Sequence, residues 1–162
     1  MQSLANPPVI ADPARGMQSD YAAILHFLVG RFHHDAQVIA EDQRQRGFQV
    51  TVARPTVFLM TDGAPYVGTA YQQPREWMPF RDALVAASIE ARIAAVGLPG
   101  ACEPVLWRLA TGEDHGDRNA FIAGPDTDPD SLADSIVAAV ASESLVIHAP
   151  DGMCRIQRPI RR

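Results

Sequence analysis

Asp62 closes a short apolar run, Thr56-Val57-Phe58-Leu59-Met60-Thr61, and is followed at once by Gly63. A carboxylate at that point could hold Mg2+ or Mn2+, directly or through water, because carboxylate oxygen suits hard cations. Gly63 lets the backbone turn away so that the carboxylate faces outward, although Asp62-Gly63-Ala64-Pro65 also reads as an ordinary turn. Cys102 follows Gly100-Ala101 where a helix begins, and amide dipoles at a helix start lower a thiol pKa. That setting suits a nucleophile or redox thiol, but no base is identifiable beside it, and an idle small cysteine is the plain reading. Tyr66, Tyr71 and Trp77 follow Asp62 on the same rim and form either a recognition surface or a cover for the sheet edge. His26, His33, His34 and Asp35 gather on one helical stretch, yet they lack the i, i+4 spacing that zinc favours and read as a solvated helix. Glu113-Asp114-His115-Gly116-Asp117 lacks the alternating spacing of a calcium loop.

These residues need elements to hold them. Helical spacing begins at Tyr21, Ile24, Leu25 and Leu28, with Ser19 or Asp20 where an N-cap belongs. Gly30 is a point of interruption, and the stripe resumes at Phe32, Ala36, Ile39 and Ala40 up to Gly47, a natural C-cap. The run 56–60 is apolar without alternation, which predicts a strand covered on both faces, as in parallel sheets. Residues 64–79, with their prolines and glycine, read as a long loop, and a helix is expected around 80–87. A second strand is expected from Ile89 to Val96, a short helix with Val105, Leu106 and Leu109, and a third strand at Ala120-Phe121-Ile122. Asp128-Pro129 opens a further helix, cap residue followed by proline. Leu145-Val146-Ile147 is a final strand or a packed tail. Strands separated by helices of this length predict a parallel α/β sheet of Rossmann type.

The chain has 162 residues, a net charge of −5, and 47% hydrophobic residues, which is the profile of one globular domain. Its 14 basic residues are all arginine. Without lysine there is no P-loop lysine, no Schiff base and no lysine nucleophile. The acidic balance argues against neutralising nucleic-acid phosphates. Two cysteines cannot build a disulfide framework, the first residues do not form a signal peptide, and no apolar run is long enough for a membrane span. A cytoplasmic protein, with no nucleic-acid or membrane partner, is the expectation.

The segment VFLMTDGAP closely resembles the strand and loop that carry the last metal motif of von Willebrand factor A (VWA) domains. Downstream, Ile89 to Gly97 and Cys102 to Thr111 look like that family's next strand and short helix. Asn119-Ala120-Phe121 and Ser131-Leu132-Ala133 look like its closing strand and helix, in the style of bacterial VWA proteins linked to tellurium resistance. Upstream, Gly16 to Leu25 resembles the loop and helix bearing the second metal motif, with Ser19 at the position of its threonine. The resemblance implies a metal-ion-dependent adhesion site to which Ser19 and Asp62 contribute, with Mg2+ or Mn2+ bridging to an acidic group on a protein partner. The family's principal metal motif, Asp-x-Ser-x-Ser after the first strand, has no counterpart here. The match begins where the family's third strand has ended, so the implied fold is VWA-like without its first strands.

Such a sheet would end at the strand 56–61 and leave that strand's edge exposed, a template for a protein partner or for self-association. The expected organisation is an irregular lead-in at 1–15, a partial VWA-like domain at 16–148 and a basic C-terminal tail at 149–162. The expected function is a non-catalytic protein–protein interaction module, with Tyr66, Tyr71 and Trp77 shaping specificity. The alternatives are an enzyme on a Rossmann-like half-sheet, using Mg2+ at Asp62 or the thiol of Cys102, and a degenerate remnant without ligand. The missing lysine, glycine-rich phosphate loop and paired base stand against the enzyme.

Overall fold

The computed structural model describes residues 19–49, 54–112, 118–141, 147 and 150–156. The expectations for 1–15, for the loop 113–117, for Leu145-Val146 and for 157–162 lie outside the described residues.

Helix α1 spans Tyr21–Gln45. Asp20 is its cap: the carboxylate accepts from the Ala23 amide at 2.9 Å, satisfying a donor that the first turn leaves unpaired. The helix runs through Gly30 without interruption, because packing of Leu25 and Phe32 on either side holds it. It ends at Gly47, whose φ of +77° only glycine adopts at little cost.

Strand β1, Thr56–Thr61, leads into a two-stranded antiparallel hairpin, β2 (Tyr66–Val67) and β3 (Ala70–Tyr71), turned by Gly68 at φ +61°. Helix α2 then spans Pro74–Val85. The expected loop at 64–79 is therefore corrected to a hairpin and the first turns of a helix. The physical reason lies in Gln73-Pro74-Arg75-Glu76: proline tolerates the first helical position, and the Glu76 carboxylate accepts from the Gln73 amide. Strand β4 spans Arg92–Gly97, shifted from the expected 89–96. The amides of Ile89 and Glu90 bond back to the Ala86 carbonyl, which keeps those residues in a turn.

Helix α3 (Glu103–Leu109), strand β5 (Ala120–Ala123), helix α4 (Pro129–Ala141) and strand β6 (Met153–Arg155) complete the chain. The sheet order is β1-β4-β5-β6; the first three strands are parallel and β6 pairs antiparallel with β5. This is a mixed α/β fold with a mostly parallel sheet flanked by helices. Strand β6 falls in the segment expected as a tail, where the Ile156 amide also bonds the Ala120 carbonyl at 2.8 Å.

Side-chain alternation divides the core. Val57, Leu59, Ile93, Ala95, Ala120 and Ile122 point to the face covered by α1, α2 and α3. Phe58, Ala94, Val96, Phe121 and Ala123 point to the other face, under α4. Two successive parallel crossovers on one face are the expected result of right-handed connections winding in one direction. Arg81 ties α2 to the end of α3, donating to the carbonyls of Leu109 and Ala110, two acceptors with no helical partner.

Candidate functional site

Two regions carry candidate function. The first is the carboxyl end of the parallel strands. Tyr21 reaches from α1 to the end of β1, its hydroxyl donating to Thr61 Oγ1 at 2.9 Å and lying 3.2 Å from the Gly63 carbonyl. Gln72 is buried beside it. Its Oε1 accepts from the Tyr21 amide at 2.9 Å, and its Nε2 donates to Asp20 Oδ1 at 2.7 Å. The Tyr66 amide donates to the Ser19 carbonyl at 3.2 Å. The hairpin is thus fastened to the start of α1 by backbone and amide groups. Sequence reasoning missed Gln72 and the Tyr21 hydroxyl, since a lone glutamine in a proline-rich stretch carries no periodic signal.

Burial pushes the Tyr21 phenol above its ordinary value of 10.0, against the lowering effect of the Thr61 bond, and burial raises Tyr71 in the same direction. A raised folded-state value means that the neutral phenol is the form favoured in the folded protein. That stability is complete below about pH 10 and is lost as the pH climbs through the folded value. Tyr21→Phe is expected to cost about 1 kcal/mol at neutral pH through the lost hydrogen bond. Above pH 10 its melting temperature should fall less steeply than that of the wild type. Parallel alkaline slopes for the two proteins would show that Tyr21 does not carry the effect.

Ser19 and Asp62 both lie at this end of the sheet, with Asp62 exposed directly after β1. They offer one hydroxyl and one carboxylate. Asp20 Oδ1 already accepts from Ala23 and Gln72. Among the described residues no three His, Cys, Asp or Glu side chains come together as a metal-holding group. A hard cation takes about six oxygens, so these two side chains would leave most positions to backbone carbonyls, water or other groups.

The three rim aromatics separate. Tyr66, 42% exposed, meets Tyr71 edge-on at 5.7 Å between ring centroids, across the hairpin. Trp77 is 0% exposed and packs against Tyr21, 6.2 Å away. The expectation that Trp77 meets a partner is corrected: residues 74–85 are helical, and that helix turns the indole into the core. Cys102 stands half-buried before α3 without a side-chain hydrogen bond to the helix start.

The second region is the outer edge of β1. Among the described residues no strand lies beyond it. The Arg92 amide bonds the Pro55 carbonyl at 2.9 Å and the Leu98 amide bonds the Thr61 carbonyl at 2.8 Å. Backbone groups alternate in direction along a strand, so odd-numbered residues of β1 bond β4, while Thr56, Phe58 and Met60 aim theirs outward. Met60 is 49% exposed, and Val137 and Val140 of α4 are 65% and 53% exposed. A groove of about 590 Å³ runs on the α4 side, lined by Arg54, Thr56, Phe58, Arg92 and Val140 among others. A second groove, about 410 Å³, joins Arg54 and Pro55 to Phe32 and Ile39 of α1. The α4 face beside β1 therefore carries partly uncovered apolar surface, and the second groove opens just before the strand's first residue. Strand 56–61 contains no charge, no proline and no bulge, the usual protections of an edge.

No helix among the described residues is long and apolar enough to cross a membrane. No known protein-family model matches the chain, and neither a curated protein nor a solved structure matches it.

Proposed function

We propose that this chain is a non-catalytic protein-interaction module that binds through the outer edge of β1. The single observation behind the reading is that edge itself: outward backbone groups at Thr56, Phe58 and Met60, beside an apolar strand without edge protection. Main-chain pairing supplies affinity in strand addition, and alternate side chains supply selectivity. Phe58 and Met60 would be covered on the α4 side and Val57 and Leu59 on the other. The affinity to VWA domains rests on the residues VFLMTDGAP and those after them, and binding by partner contact agrees with it. The pair Tyr66 and Tyr71, on the hairpin after Asp62, would extend the contact at the carboxyl end.

An enzymatic reading finds less to stand on. Among the described residues the Cys102 side chain makes no capping bond at the start of α3, and Ser19 and Asp62 supply only two side-chain donor groups towards the about six oxygens a hard cation takes. The interaction reading is tested by hydrogen exchange resolved to single amides. Val57, Leu59 and Thr61 should be protected in every state, because they bond β4. Thr56, Phe58 and Met60 should become protected only when the edge is occupied, with protection growing as protein concentration or partner is raised. Prompt exchange of those three amides under every condition would leave the edge without an occupant and overturn the reading.

A further inference from the structure

We propose that the occupant of the β1 edge is the β1 edge of a second copy, paired antiparallel about a twofold axis through Phe58; this rests on the edge-binding reading above. Two copies extending one continuous sheet must keep each face on its own side, so only residues of equal parity can stand opposite one another. The outward backbone groups at Thr56, Phe58 and Met60 impose the same condition. Centred on Phe58, the pairing sets Phe58 opposite Phe58 of the second copy, with reciprocal N–H···O bonds. Thr56 then stands opposite Met60, and Val57 opposite Leu59.

Continued past the strand, the same register sets Arg54 opposite Asp62 at both ends. Arg54 lies before the strand and is exposed; Asp62 lies after it and is exposed. Opposite charges therefore cap an apolar centre twice by symmetry, which is the self-complementarity an isologous contact requires. Centring on Leu59 instead would set Arg54 against Ala64 and Asp62 against Thr56, and no charge would be matched. Arg54 holds Glu90 through Nε at 2.7 Å, and its fork has two further nitrogens for the second carboxylate. Pro55 falls opposite Thr61, but its missing donor costs nothing there, because residue 55 turns its backbone towards β4. On the α4 face the pairing covers Met60 and brings the two grooves lined by Phe58 and Val140 together across the axis.

Sedimentation equilibrium of the full chain is the first measurement, and it should show a reversible dimer. Arg54→Asp or Asp62→Arg alone should raise the dissociation constant on the order of tenfold, since each places like charges at both ends. The double reversal should restore it to within about threefold, a recovery that a general surface effect does not produce. Thermal melts at concentrations where the protein is monomeric establish that the variants fold. In a background with Cys102→Ser and Cys154→Ser, Phe58→Cys should form a disulfide-linked dimer on mild oxidation. Opposed Cα atoms in a hydrogen-bonded pair lie about 5.5 Å apart, within disulfide reach. A monomer at every concentration overturns the proposal, as does a dimer indifferent to the charge reversals or one cross-linked through Leu59→Cys and not through Phe58→Cys. Outward amides that become protected only with a different protein bound would overturn self-pairing and leave the edge-binding reading standing, whereas their protection in a monomeric protein on its own would overturn both.

Discussion

Replacing Trp77 with alanine is expected to lower the unfolding free energy by about 3–5 kcal/mol, the range for emptying a fully buried aromatic site. Trp77 is the largest fully buried side chain among the described residues and sits where α1, α2 and the sheet meet. Its ring packs edge-on against Tyr21 at an interplanar angle of 68°. Tyr21 in turn holds Thr61 at the end of β1. The cavity would therefore open beneath the hairpin and loosen the carboxyl end of the sheet as well as the core. The indole Nε1 has no hydrogen-bond partner among the described residues, so the ring acts through apolar packing. Trp77→Phe keeps much of that packing and removes the buried donor, and its loss should be clearly smaller. Urea unfolding is the measurement: the midpoint should drop with an unchanged m-value. An alanine variant within about 1 kcal/mol of wild type would mean the indole is not a core residue.

Gly97→Ala should cost about 1–3 kcal/mol by overpacking. Gly97 ends β4, and a Cβ placed there would stand 2.4 Å from Leu106 Cδ1 and 2.8 Å from Ala101 Cβ. Ala101 cannot yield easily, since its amide bonds the Leu98 carbonyl at 3.0 Å. Leu106 is buried on α3 with the core around it. The glycine is required here for space and not for its dihedral angles. That distinction gives the test its form. Leu106→Ala alone should be destabilising, but it vacates the space that the new methyl needs. The combined variant should then be less unstable than the sum of the two single losses, with a coupling of at least about 0.5 kcal/mol. Strict additivity would mean that α3 does not press on the end of β4.

Much of this fold was legible where local chemistry and long-range packing agree. Ser19 or Asp20 could be read as a cap because a short polar side chain before an apolar-periodic run can accept from an unpaired amide, and the structure selects Asp20. Asp128-Pro129 was legible for the same reason, and Asp128 accepts from the Ser131 amide at 3.0 Å. Strand β1 was visible as an unbroken apolar run. The start of α2 was present in Gln73-Pro74-Arg75-Glu76, but proline there weighed as loop punctuation and hid the capping pair. Trp77 was misplaced as a consequence, for a residue on a loop rim and one on an inward helix face differ only in what the flanking segment does. Strand β6 carried no readable pattern: three residues are too few for a period, and they become a strand because the outer side of β5 accepts them.

The candidate site divides along the same line. Composition alone closed the lysine-based chemistries, and the run 56–61 alone showed an apolar strand without edge protection. Those properties belong to residue types and to neighbours in sequence, so no folding is needed to see them. The direction of each backbone bond in β1 is different in kind. It follows from which neighbour β4 takes, a contact between residues more than thirty positions apart, and that contact aims Thr56, Phe58 and Met60 outward. The same long-range packing withdrew Trp77 from the surface and left Asp62 and Arg54 exposed at the two ends of one open edge.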